Sequence, residues 1–206
     1  MNSRDKAIVA DLVRFRCMTR DDIAALHFNT VKHPITHANI VLKRLRRDGI
    51  IDCSKEWRQY VYFPIPSIKK DSAKINHFLA IVDFYKQLHQ HEPPMLFVVE
   101  PKYGKGNPEP DVFMIWQRTP MFVEIQRSIY SDKVMKEKFS RYTRYYHDEQ
   151  WKLESWQPQD KKVFPRVWIV SETKYNIDAP FKVAQSTDVR SFLASFAPSL
   201  KEGGKT

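Results

Sequence analysis

Glycine and cysteine are scarce in this chain, with five Gly and two Cys in 206 residues. Gly104 and Gly106 are followed by Glu109 instead of a third glycine, so no dinucleotide fingerprint exists, and no P-loop occurs. Cys17 and Cys53 give no convincing disulfide framework or four-ligand zinc site. No G-x-S-x-G turn organises the scattered serines and histidines into a nucleophilic triad. Apolar runs are also short. The longest lies around Met95 to Val99, far below the ~18 residues of a membrane span, so no membrane association is expected. The charged start from Met1 to Lys6 leads into an amphipathic pattern, unlike a secretory signal, and the cytoplasm is the expected location.

Positive charge is abundant. Lys and Arg number 34 against 24 Asp and Glu, a formal net charge of +10, while 42% hydrophobic and 13% aromatic content is ample for a core. Residues 1–66 carry 12 of the cations against 7 acids, so the excess divides equally, +5 and +5, between that segment and the rest. A basic chain without nucleotide or zinc signatures points first to nucleic acid.

Pro64, Pro66 and the polar run Lys69 to Ser72 mark a boundary. Before it, Ile8, Val9, Leu12, Val13 and Phe15 predict a helix over 4–16. Thr19 and Asp22 form the start of a second, short helix. Thr36 is the expected cap of a third, with Ala38, Val41, Leu42 and Leu45 inward and Gly49 as its left-handed stop. Two β-prone segments, 50–53 and 60–63, flank the polar turn at 54–56. Three short helices and a hairpin are the order of a winged helix-turn-helix. The third helix would then turn His37, Asn39, Lys43, Arg44, Arg46 and Arg47 toward a major groove, with Lys55 and Arg58 on the wing touching the backbone.

After the boundary, Ser72 is the expected cap of a helix to 90, followed by a buried strand at 95–100 and a Gly/Pro loop at 101–110. Strands at 111–116 and 121–127 flank a turn at Arg118, Thr119 and Pro120. Ser131 caps a long helix to 150 with Met135, Phe139, Tyr142 and Tyr146 at helical spacing. A strand at 167–170, an edge strand at 181–185 and a helix at 188–196 complete an α/β layer architecture. The aromatic residues Tyr142, Tyr145, Tyr146, Trp151 and Trp156 interleave with cations, and most are expected in the core. His89, His91 and Glu92 read as a solvated helix end with no third metal ligand near.

The chemistry concentrates at Asp111 and Glu124-Ile125-Gln126. A hairpin centred between Arg118 and Thr119 would set Asp111 opposite Gln126, with Asp111 and Glu124 as diagonal neighbours on one face, ~7–8 Å or less apart. Two carboxylates and the Ile125 carbonyl would make a hard oxygen site for Mg²⁺. The other reading of the same spacing is a solvent-facing strand-edge Glu with a strand-capping Asp.

Pro110-Asp111, a short hairpin, then Glu124-Ile125-Gln126 resembles the PD-(D/E)XK nuclease signature. The whole chain resembles the replication-relaxation family of Gram-positive plasmids and phages. The segments carrying that likeness are Leu42 to Ile51, Tyr62, Asn76 to Tyr85, Pro110-Asp111, Phe122 to Arg127 and Lys138 to Tyr142. The resemblance implies double-stranded-DNA binding tied to a mobile element. It further implies a winged helix over 1–67 and a nuclease-like α/β domain with a mixed, helix-flanked sheet over 68–200; residues 201–206 read as a flexible tail. It assigns Asp111 and Glu124 to Mg²⁺ or Mn²⁺ in phosphodiester hydrolysis. Where the pattern has Lys this chain has Gln126, and Lys138 or Lys136 would bring the charge from the next helix; Asp83, His77 and Glu100 compete for the upstream acidic position. The expected activity is that of an endonuclease or nickase, and the alternative is a non-catalytic replication accessory or regulator. A lone winged helix reads a short site, which favours a homodimer.

Overall fold

The computed structural model describes residues 1–57, 59–69 and 73–196. Arg58, the cap expected at Ser72 and the tail 201–206 lie outside the described residues. No described helix is long and apolar enough to cross a membrane.

Helix α1 (Ser3–Phe15) starts from a capping box in which Asn2 and Asp5 each accept the other's backbone N–H. The short strand β1 (Met18–Thr19) leads directly into α2 (Arg20–His27), where Thr19 and Asp22 repeat that exchange. Helix α3 (Pro34–Arg47) begins two residues before the expected cap at Thr36. Pro34 opens it, since a helix's first N–H is unpaired in any case and proline has none to lose. Gly49 follows at φ +68°, where the missing Cβ ends the helix. Strands β2 (Ile51–Ser54) and β3 (Val61–Pro64) pair antiparallel, and β1 adds to the far side of β3 in the order β1-β3-β2. A two-residue strand is too short to leave a periodic trace in sequence.

The remaining elements are α4 (Ile75–His89), β4 (Leu96–Val99), β5 (Val112–Trp116), β6 (Thr119–Ile125), α5 (Asp132–Asp148), β7 (Arg166–Val170), β8 (Val183–Ser186) and α6 (Val189–Ala194). They form a five-stranded sheet in the order β4-β5-β6-β7-β8. The first three strands are antiparallel; α5 crosses over to β7, which runs parallel to β6 and to β8. Mixed α/β is thus the observed class. Strand β4, expected to be buried, is an edge strand with only Phe97 and Val99 covered.

Alternation along the strands divides the interior. Val112, Met114, Trp116, Val123 and Trp168 share a face with the residues of α4 and α6, in a cluster that continues into the first three helices. Phe113, Phe122, Val167 and Ile169 face α5 and the 3₁₀ turn Gln150–Leu153. Helix α4 buries Ile75, Phe78, Ile81, Val82, Phe84, Tyr85 and Leu88, more than one stripe, because it is covered on two sides. On α5, Tyr145 is fully buried, whereas Tyr146 stacks half-buried on Trp151.

The β5–β6 hairpin turns at Gln117 and Arg118, both with positive φ, and pairs Trp116 with Thr119 and Val112 with Val123. This corrects the expected register by two residues. Thr119 and Pro120 belong to β6 instead of the turn.

Candidate functional site

Continuing that register one step past Val112–Val123 sets Asp111 directly opposite Glu124, closer than the expected diagonal. Because strand side chains alternate, both leave the sheet on the Phe113/Phe122 face, toward α5. Glu124 is 1% exposed, which excludes the solvent-facing reading. Lys138 Nζ donates to its Oε2, and the Tyr142 hydroxyl donates to Oε1 at 2.6 Å. Lys138 and Tyr142 are four residues apart on α5 and so share its inward face.

Asp111 Oδ2 accepts the Ile125 N–H at 2.6 Å, and its Oδ1 lies 3.4 Å from His77 Nε2. The residue that the register brings opposite Ile125 is Pro110, which has no N–H for the Ile125 carbonyl. Gln126 makes no hydrogen bond to either carboxylate: its amide nitrogen donates to Met135 Sδ at 3.2 Å, and its buried Oε1 has no partner. Lys136 is exposed and lines a groove between α5 and residues 175–178, so Lys138 is the lysine that bonds Glu124 and acts on Asp111 through its charge. Of the three upstream candidates, Asp83 is remote, engaged with Gln87 and Lys86. His77 touches Asp111, and Glu100, paired with Lys74 at 3.4 Å, acts on both through its charge.

Burial pushes the Asp111 carboxyl up to about 6, against the opposing pull of Lys138 and the Ile125 N–H. Burial likewise raises Glu124 to about 7, with Lys138 opposing and Asp111 adding to the rise. Desolvation pulls the Lys138 ammonium down, yet Glu124 and Asp111 outweigh it and the net shift is upward. Desolvation lowers His77. Strongly perturbed groups gathered at one place mark functional sites more often than chance. Among the described residues no three or more His, Cys, Asp or Glu side chains are arranged as a metal cage.

A second cluster lies on α3. Asn39, Lys43 and Arg46 line an open cavity of about 500 Å³ together with Arg20 and Asp21 of α2 and Gln59, Tyr60 and Tyr62. Burial raises the Tyr62 phenol, with Arg46 and Arg20 opposing. Lys55 Nζ sits 5.6 Å from the Tyr60 ring. His37 and Arg47 are exposed on α3, Arg47 pairing with Asp48. Arg44 is turned the other way: its guanidinium binds the buried Asp5 of α1 at 2.8 Å and holds that carboxyl below its usual range.

The sequence reading missed Arg20, Tyr60 and Tyr62 on this face and Tyr142 as a partner of Glu124. One signal for the last was present. Lys138 interrupts the apolar stripe of Met135, Phe139 and Tyr142, and a cation on a buried face needs an acid opposite.

No family model, curated protein or solved structure matches the chain.

Proposed function

We propose that this protein binds double-stranded DNA through a winged helix-turn-helix formed by its first three helices and β1–β3. In this reading it hydrolyses phosphodiester bonds at a PD-(D/E)XK-like centre of Asp111, Glu124 and Lys138. One observation carries it: Asp111, just before β5, and Lys138 of α5 converge on the buried carboxylate of Glu124 on β6, and both carboxyls are pushed up by burial.

The donor set fits a hard divalent cation. Mg²⁺ is held by one or two carboxylates and completes its shell from water and substrate phosphate, so Asp111, Glu124 and the Ile125 carbonyl suffice without a three-side-chain cage. A cation held there supplies charge neutralisation and water activation for in-line displacement at phosphorus. Lys138 brings from α5 the positive charge that Gln126 lacks, Tyr142 fixes the orientation of Glu124, and the Ile125 N–H fixes Asp111.

On α3, Arg46 and Asn39 are the side chain types that read guanine and adenine edges, and Lys43 and Arg20 suit phosphates. Ile40, 61% exposed between them, suits a thymine methyl group. Paired half-sites would engage a homodimer. The likeness to replication-relaxation proteins points the same way, to replication or control of a plasmid or phage.

The test is incubation of supercoiled and linear DNA with Mg²⁺ or Mn²⁺. Cleavage or nicking by the native protein, abolished in Asp111→Ala and Glu124→Ala, is the expected result; cleavage that survives both removes the assigned centre. The second reading, a non-catalytic DNA-binding accessory or regulator, is favoured by one feature: both Glu124 oxygens already have donors. It predicts DNA binding with no cleavage under any divalent cation.

A further inference from the structure

The connection from β6 to α5, next to the carboxylate centre, carries its bulky side chains outward. Ile129 is 78% exposed and Tyr130 36%, and Val134 on the first turn of α5 is also exposed. Scattered surface apolar residues need no explanation, but three within six positions form a patch. This patch is also fastened. The Tyr130 N–H donates to the Tyr175 hydroxyl at 3.0 Å. Tyr175 is buried, and the Gln185 side chain of β8 clamps its backbone on both sides, accepting its N–H and donating to its carbonyl, each at 2.8 Å. A relay from β8 therefore ties down the backbone at an exposed aromatic residue. Lys138 Nζ, the same ammonium that reaches Glu124, lies over the Tyr130 ring at 5.8 Å. Exposed Arg127 precedes the patch in sequence and exposed Lys133 lies within it.

We infer that Tyr130, with Ile129 beside it, is a stacking platform for an unpaired base of the strand presented to the carboxylate centre, which makes the substrate locally single-stranded DNA at a fork, gap or frayed end. Its place beside the reacting phosphate rests on the phosphodiesterase reading above. The chemistry of the occupant follows from its surroundings. An aromatic face among cations attracts a nucleobase on a phosphate chain, and stacking is indifferent to which base it is. A base inside an intact duplex hides its faces, so a protein ring meets one only where pairing is broken. Because Tyr175, clamped by Gln185, holds the Tyr130 backbone beforehand, less backbone entropy is lost on binding. Duplex at α3 and an opened strand at Tyr130 are then two parts of one substrate.

The experiment uses the full chain without divalent cation, so that binding is read and cleavage cannot occur. Three oligonucleotides of equal length carry 2-aminopurine in a single strand, at the junction of a fork, and within an uninterrupted duplex. The expected result is altered probe fluorescence on the first two only, with the fork bound roughly tenfold more tightly than the duplex. Tyr130→Ala should remove both the signal and the preference while leaving duplex affinity unchanged; Tyr130→Phe should retain them. An unchanged signal in Tyr130→Ala, or equal affinity for fork and duplex, overturns the platform. Self-association abolished by Tyr130→Ala, with no preference for unpaired DNA, also overturns it and assigns the patch to a second copy of the chain. Failure of the phosphodiesterase reading shows separately, as uncut DNA in the cleavage assay while the fluorescence response persists.

Discussion

Glu124 has a lysine on one oxygen and a tyrosine on the other, and burial still pushes its carboxyl up to about 7. Asp111, at about 6, is shifted for the same first reason. Both folded values exceed the unfolded ones, so between about pH 4 and 7 the folded chain holds protons that the unfolded chain has released. Stability therefore falls as pH rises through that window, and the loss is complete above it. Urea denaturation should show the native protein losing on the order of 2–3 kcal/mol relative to Asp111→Asn between pH 4 and 7. A difference that does not change with pH would contradict the assignment. If a divalent cation binds here, Mg²⁺ should restore stability at pH 8 in the native protein and not in Asp111→Ala, read as a rise in thermal midpoint. Under the proposed DNA binding, Arg44 and Arg46 would separate structure from binding on one helix. Arg44→Ala strands the buried Asp5 and should lower the midpoint; Arg46→Ala, on the cavity face, should leave the midpoint alone and weaken DNA binding. If Arg46 contacts a phosphate, the salt dependence of that binding should fall by about 0.9 in log–log slope.

At the scale of elements, the β5–β6 hairpin explains which part of the site could be read in advance. Its turn residues, Gln117 at φ +47° and Arg118 at φ +59°, occupy the conformation that Asn-Gly favours, yet neither residue announces a turn. Pro120 looks like turn punctuation and instead pairs with Ile115 near the start of β6, where its missing N–H is tolerated. The expected pairing was therefore displaced by two residues. Strand side chains repeat their direction every two residues, so the displacement kept Asp111 and Glu124 on one face and brought them directly opposite. A displacement of one would have separated them. Replacing Gln117→Asn with Arg118→Gly should raise stability by ~0.5–1 kcal/mol, seen as a higher urea midpoint with an unchanged slope. Helix α5 was legible in extent and in its Ser131 cap, and its inward Lys138 was already a candidate. The Tyr142–Glu124 bond was not, because it depends on which helix face the crossover lays on β6.

Across the whole molecule, the first three helices and the larger sheet share one hydrophobic core. Ile8, Leu12 and Phe15 of α1 belong to the same cluster as Phe84, Phe97 and Trp168. The Phe15 ring lies 5.1 Å from Tyr85 and 6.0 Å from Phe97, and Lys86 of α4 bonds Asp22 of α2 at 2.7 Å. The composition break at 64–72 marks a change of element type, but the packing runs across it. Unfolding should accordingly be a single transition. Phe15→Ala, at a cost of ~3–5 kcal/mol, should shift the far-ultraviolet dichroism midpoint and the tryptophan fluorescence midpoint together. Two resolved transitions would show halves that unfold independently. Through that core the α3 helix and the strands that carry the carboxylate centre belong to one packed unit.

The sequence alone determined what is local or periodic. It specified the capping box at Thr19, the stop at Gly49, the alternation of β5 and β6, and the presence of two acids among apolar strand residues. These depend on neighbours within a turn or two of chain, where propensity and spacing are sufficient. Tertiary structure decided that Lys138 and not Lys136 reaches Glu124, that Arg44 serves Asp5, and that Tyr130 is tied to β8 through Tyr175 and Gln185. Each of those pairings joins separate elements, and only the packing of the layers fixes which side chains then meet.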